Sequence, residues 1–270
     1  MEVGAARPTS SDVQSMTTLK TQTPQTLMTS KTEEVKALFE VPEKYLGPRR
    51  YDIRVRVETV QQFTKTLHFD RVLDIGCGDG AISLPLLSRC NRLTLLDLSR
   101  SMLDLASSRI PAQRAGDVEV IDGDVMRAGL EPRSYDLICC LGVLAHVDSP
   151  AALIAKVAEL AKPGAWIILE FTDSFHFWGV PVVVYQKLLN VVRPQPYKLN
   201  RLSKRAILGM LQDNHLKVSG LYRYGLPPVG SHKFLGQDDM YSFVRQLFGP
   251  SDRNRKRWMG NQFIYLLQKN

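Results

Sequence analysis

Val72–Leu73–Asp74–Ile75–Gly76–Cys77–Gly78–Asp79–Gly80 is the stretch that decides how this chain is read. Apolar and β-branched residues run into a loop with glycine at 76, 78 and 80, and Ala81, Ile82, Leu84, Leu86 and Leu87 follow in a helical pattern. The order predicts strand, glycine loop, helix. Glycines at alternate positions permit positive φ and leave no Cβ in the way, so a ligand can lie against the backbone where a helix N-terminus offers free N–H groups.

Outward from that loop, the chain alternates strands and helices. Leu93–Leu98 reads as a second buried strand carrying an acid, Asp97, near its end, with Ser99 as the N-cap of the next helix. Val118–Ile121 is a third strand, running into Asp122–Gly123–Asp124–Val125. Tyr135–Leu144 contains a fourth, with His146 just past it. Pro150 opens a helix that Lys162–Pro163–Gly164 closes, and Trp166–Phe171 is a fifth strand. Five such units predict a parallel doubly wound sheet with helices on both faces. Upstream, a helix near Val35–Phe39 leads to a turn at Tyr45–Leu46–Gly47–Pro48, and a second helix is expected from about Tyr51 to Leu67. Downstream, a helix over 203–214, a strand over Leu216–Tyr222, a helix near Asp238–Phe248 and a last strand at Gln262–Leu267 complete the pattern.

Composition bounds the remainder. With 270 residues and 44% hydrophobic content the chain can bury one sizeable core. Cys77, Cys90, Cys139 and Cys140 show no paired or metal-ligand spacing, which points to a reduced, cytoplasmic protein with no metal site. Net charge +8 would suit a polyanionic partner. Yet the basic residues are scattered apart from Arg49/Arg50/Arg54/Arg56 and Arg253/Arg255/Lys256/Arg257, and no nucleic-acid-binding motif accompanies them. Residues 1–30 are rich in Ser and Thr and lack the apolar core of a secretory signal, so a disordered tail is expected. The apolar run 175–185 is interrupted by Pro181 and is too short to span a membrane. It reads as a lid or pocket wall, as a packing helix, or as a segment at a membrane interface.

The glycine loop alone leaves the ligand open, because Gly76-x-Gly78-x-x-Ala81, with Asp97 about 20 residues on, also satisfies the dinucleotide fingerprint. Two features separate the readings: Asp74 stands two positions before the first glycine, and the third glycine comes one residue early. Both resemble motif I of the class I S-adenosylmethionine-dependent methyltransferases. Asp97–Leu98–Ser99 followed by Met102–Leu103 resembles motif II, Tyr135–Asp136 with its apolar run and His146–Val147 resembles the fourth-strand pattern, and Leu160-x-Lys162–Pro163–Gly164 resembles the turn into strand five. The resemblance covers residues 70–172.

The resemblance implies a Rossmann-like, doubly wound, mostly parallel seven-stranded α/β sheet. Residues 31–270 would be one methyltransferase domain, with a helical cap at 31–68, a cofactor-binding core at 70–172 and a substrate lid or insertions at 173–202 and 225–261. The implied cofactor is S-adenosyl-L-methionine, held by Asp74, Gly76, Cys77, Gly78, Gly80, Asp97, Leu98, Met102, Asp124, Val125 and Leu141, with Tyr51 and Arg56 reaching down from the cap. Two alternatives stay open: Arg56 on a solvated charged face, and Asp124 as a turn acid bonding its own backbone.

Cys140–Leu141–Gly142–Val143 replaces the Asn/Asp-Pro-Pro-aromatic motif carried by methyltransferases that act on nucleic-acid or glutamine amide nitrogens. The expected acceptor is therefore a small, hydrophobic molecule methylated on oxygen, with no nucleic-acid partner. His146 is the first candidate base, followed by His176, His232 and Glu170. His176, Phe177, Trp178, Tyr185, Tyr222 and His232 are candidate substrate contacts, the tyrosines with plain core packing as their other reading. The competing functions are an RNA or protein methyltransferase that uses the basic clusters, and a non-catalytic cofactor-binding protein. No motif identifies the acceptor or an oligomeric state.

Overall fold

A computed structural model describes Met1 and residues 31–177, 199–225 and 234–270. The expected tail, Trp178, Tyr185 and His232 lie outside the described residues.

Seven strands form one sheet: β1 (Phe69–Ile75), β2 (Cys90–Asp97), β3 (Val118–Asp122), β4 (Tyr135–Cys140), β5 (Ala161–Thr172), β6 (Leu216–Tyr224) and β7 (Gln262–Lys269), in the order β3-β2-β1-β4-β5-β7-β6. The first five run parallel, and β7 pairs antiparallel with both β5 and β6. The antiparallel strand therefore inserts between two others instead of closing an edge. The central strands are apolar on both sides, as a sheet covered by helices on each face requires. Leu73, Ile138, Ile167 and Tyr265 point to one face, under α4 (Pro150–Leu160) and α5 (Lys204–Asp213). Val72, Leu95, Leu137, Ile168 and Ile264 point to the other, under α2 (Pro42–Thr64), α3 (Arg100–Ser108) and α6 (Gln237–Phe248). Side chains alternate across a strand, so each strand feeds both cores.

Three helices start at sequence-legible caps. Ser99, Ser149 and Ser203 accept hydrogen bonds from the backbone N–H of Met102, Ala152 and Ala206, and Pro150 occupies the first turn of α4.

Three expectations need correction. No α-helix follows the glycine loop: a turn leads into a 3₁₀ helix at Leu84–Ser88. Leu84 N–H makes one helical bond to the Gly80 carbonyl, but Pro85 has no N–H to continue the ladder. The expected turn at Gly47–Pro48 is instead helical, since α2 runs through it from Pro42 to Thr64. The Tyr51 N–H there is received from outside by Gln237 Oε1 of α6, at 3.1 Å. Finally, no helix crosses from β3 to β4, where Gly129 takes φ +64° and Pro132 follows.

Candidate functional site

The strand order reverses between β1 and β4, so the loops after β1 and β4 diverge and leave a crevice at the C-terminal edge of the sheet. The glycine loop forms one side. Gly76, Gly78 and Gly80 all have positive φ, of +70°, +54° and +74°. A Cβ on Gly76 would lie 2.5 Å from Val143, and one on Gly80 would lie 2.8 Å from Leu84, so packing explains both. Nothing stands within 4 Å of the Cβ position at Gly78. That glycine faces open space, as close ligand approach to the backbone needs.

Asp97, at the end of β2, holds the loop. Its Oδ2 accepts from Gly78 N–H at 2.8 Å and its Oδ1 from Ser99 N–H at 2.9 Å. Burial raises its pKa, while the backbone N–H groups of Ser99, Gly78 and Leu98 oppose that shift. Each carboxylate oxygen keeps a further lone pair for a ligand hydroxyl.

Asp74, below the loop, is 2% exposed, and its Oδ2 is buried without a hydrogen-bond partner. Burial pushes its pKa up to about 7; Asp97 and Asp79 add to the shift, and the neighbouring Ser83 hydroxyl opposes it. Ser83 Oγ is itself buried outside hydrogen-bond geometry. An orphaned buried carboxylate oxygen is costly on its own and fits a cationic, hydrogen-bond-donating ligand group. Cys77 is no nucleophile: burial first, then Asp74 and Asp97, push its thiol far above the usual range. Asp79 pairs with Arg109, and both line a cavity of about 350 Å³ between the loop and the Ile53–Val57 stretch of α2.

The cap ties both sides of the crevice. Helix α1 (Lys31–Phe39) ends with the Phe39 carbonyl accepting from Ser99 Oγ at 2.9 Å, while the Phe39 ring meets His146 edge-on at 5.5 Å. Its first residue, Lys31, donates to the Val147 carbonyl at 2.8 Å and to Asn200 Oδ1 at 3.0 Å. Asn200 in turn donates through Nδ2 to the Leu144 and Val147 carbonyls. His146 thus sits half-buried beside the crevice, under α1.

Arg56 is neither on a solvated face nor uncommitted. It is buried, 3.2 Å from Asp52 Oδ2 and 2.8 Å from Glu170 Oε2, with its guanidinium 3.4 Å from where a Cβ on Gly142 would stand. Tyr224 Oη completes the group, 2.5 Å from Asp52 Oδ1 and 3.0 Å from Glu170 Oε1. Tyr224 has one proton to donate, and the two carboxylates compete for it. Burial raises the Glu170 pKa, the Arg56 guanidinium lowers it and Asp52 raises it. Glu170 is then held inside the structure, away from any acceptor. Tyr51 is buried on the same helix.

Other sequence-selected residues fall in various places. Asp124 Oδ1 accepts from Met126 N–H at 3.0 Å, which is the turn-acid arrangement. Val125, Leu141 and Met102 are buried, and Leu98 is half-buried. Tyr222 does not face a pocket: it is fully buried, donates to the Gly249 carbonyl at 2.8 Å and packs against α6. Its β6 position alternates with the exposed face in sequence, but α6 covers it. His176 Nε2 lies 2.9 Å from the Trp258 carbonyl, and Phe177 stacks on the Trp258 ring. Sequence reading passed over Asp52, Ser83, Lys31 and Asn200, whose roles depend on partners up to 172 residues away. Among the described residues no group of three or more His, Cys, Asp or Glu is placed to hold a metal ion.

Residues 73–167 match the family model described as a methyltransferase domain. Over that span the chain is similar to a methyltransferase domain. The end of β1, the glycine loop, Asp97 and the β4 loop lie inside that span. The ubiquinone biosynthesis O-methyltransferase of Bordetella parapertussis is 31% identical over 129 residues, covering 47% of this chain and 52% of the relative. The chain thus spans about half the length of the curated relatives it matches. A methyltransferase structure from Thermotoga maritima, described as a possible histamine N-methyltransferase, superposes with TM-score 0.63 at 16% identity, covering 89% of this chain and 100% of its own. The cyclase SpnF superposes with TM-score 0.58 at 14% identity, covering 88% of this chain and 96% of its own. One fold serves both, so the reaction has to be read from the site.

Proposed function

We propose that the chain is an S-adenosylmethionine-dependent methyltransferase that methylates an oxygen of a small hydrophobic acceptor. The observation that carries this reading is the buried, partnerless Asp74 Oδ2 beneath a loop whose middle glycine faces open space. Those groups fit the cofactor: Asp74 and the loop backbone would hold its amino-acid end, and Asp97 its ribose hydroxyls. When bound, S-adenosylmethionine supplies a methyl group on a cationic sulfur. The chain's own residues position and enclose. Helix α1 bridges the β2 and β4 loops and excludes water, which makes alignment the main source of rate. His146, on the β4 side, takes the acceptor's hydroxyl proton. The O-methyltransferase relatives from ubiquinone biosynthesis support an oxygen nucleophile on the acceptor. Four free, buried cysteines support a cytoplasmic, reducing compartment. The basic clusters support the polymer-acceptor reading less: Arg54 is paired with Asp238, and Arg56 with Asp52 and Glu170.

Calorimetric titration of S-adenosylhomocysteine into wild type and Asp97→Asn, with NAD as control, tests this. Saturable homocysteine-cofactor binding, weakened by about 1–3 kcal/mol in the variant, is expected, because the substitution unpairs buried partners. Binding of NAD instead, or of neither, refutes the reading.

A further inference from the structure

Thr172 pairs with Gln262 across β5 and β7, so the loop leaving β5 and the loop entering β7 lie side by side at the same sheet edge as the crevice. Phe175, Phe177 and Trp258 project from these loops and are 60%, 52% and 64% exposed. Their arrangement is held: the Phe177 and Trp258 rings stack at 5.9 Å, and the Trp258 carbonyl meets His176 Nε2. Met259, next along, packs toward the core, so Trp258 is left pointing outward. Cations surround the rings. Arg253, Arg255, Lys256 and Arg257 are all exposed on the β7 loop, and the Arg201 guanidinium lies 5.0 Å over the Phe175 ring. The opposing charges are exposed Asp252 and half-buried Asp173, whose Oδ1 accepts from Phe175 N–H. Residues 199–202 link this face to the crevice: Leu202 bridges to Asp173, and Asn200 N–H donates to the Ala145 carbonyl beside His146.

We propose that this aromatic and basic face docks the protein on an anionic lipid surface. Aromatic rings settle at headgroup level, and neighbouring cations gain from the negative surface potential. No helix among the described residues is long and apolar enough to cross a membrane. Charge complementarity selects the anionic surface. Phe177 and Trp258 are already stacked on each other, so they form one apolar wedge and not the spaced platforms on which successive bases stack. The benefit to catalysis rests on the reading above: a hydrophobic acceptor would reach the crevice from the lipid without crossing water. Lipid binding itself does not depend on that reading.

Flotation of the full chain with vesicles of phosphatidylglycerol and phosphatidylcholine in equal amounts, and with phosphatidylcholine alone, tests the proposal. Binding to the anionic vesicles is expected to be released by salt. It should fall about fivefold for each charge removed in Arg255→Gln/Lys256→Gln/Arg257→Gln, and several-fold in Phe175→Ser/Trp258→Ser. Both variants change exposed side chains, so melting temperature and S-adenosylhomocysteine titration should match wild type. That control separates failure of this inference from failure of the methyltransferase reading. Absence of flotation, equal flotation on neutral vesicles, or flotation untouched by both variants overturns it. So does tight, variant-sensitive binding of single-stranded RNA without flotation, which would make this a nucleic-acid face.

Discussion

At the scale of single residues the site is a set of carboxylates in unequal surroundings. Asp97 spends both oxygens on backbone N–H groups, whereas Asp74 is buried with one oxygen orphaned. The consequence is a pH dependence with a definite sign. The folded state holds the Asp74 proton up to about pH 7, while an unfolded chain releases it near the ordinary aspartate value of 3.8. The stability this group contributes is therefore fully present below about pH 4 and is lost as pH rises toward 7 and beyond. Asp74→Asn removes that loss, so its unfolding free energy relative to wild type should rise by a few kcal/mol between pH 5 and pH 8 in ligand-free protein. Urea denaturation at the two pH values measures it, and a variant that falls more steeply than wild type contradicts the assignment. His146 is tested by turnover: His146→Ala should slow transfer about 10²–10⁴-fold with S-adenosylhomocysteine affinity unchanged. Unaltered turnover removes it as the base.

Among elements, the cap helices matter most, because α1 and α2 are joined to the sheet by polar contacts that had to be desolvated. Helix α2 is fastened by the Asp52–Arg56–Glu170–Tyr224 group on one side and by Gln237, Asp238 and Arg245 of α6 on the other. A buried ion pair is weak evidence of net stability, but breaking one by removing a single partner leaves uncompensated charge at a cost of about 3–5 kcal/mol. Arg56→Met should accordingly lower the melting temperature by on the order of 10 °C. Arg56→Met/Glu170→Gln, which removes one charge of each sign, should recover part of the loss. No recovery in the double variant would mean that Arg56 acts mainly through packing against Gly142. The helix missing after the glycine loop belongs to this scale as well. The apolar spacing of Ala81–Leu87 satisfied a helical pattern, yet Pro85 removes a donor inside the connection between β1 and β2 (residues 76–89), and the turn tightened to 3₁₀ instead.

Taken whole, the molecule is one sheet with a core on each face and a crevice at one edge, so a ligand bound there should stabilise all of it. Saturating S-adenosylhomocysteine, at about 100 times its dissociation constant, is expected to add about 2.7 kcal/mol and raise the melting temperature by about 5–10 °C. NAD should leave it unchanged, and a shift with NAD alone would reassign the crevice. The sequence by itself determined the strands, the doubly wound class of their sheet and the Ser99 cap, but not the place of β7 between β5 and β6. Strand burial, cap chemistry and glycine φ are local properties, written within a few residues of where they act, and Val72–Gly80 with Asp97 was enough to point to the candidate crevice. Only the tertiary structure decided that Gly78 is the glycine facing open space, that Tyr222 belongs to the core, and that Arg56 is bound between Asp52 and Glu170. It also decided that Trp258 and Phe177 share one exposed face. Those outcomes depend on which distant segments meet, and burial, ion pairing and exposure are properties of the meeting, not of either segment alone.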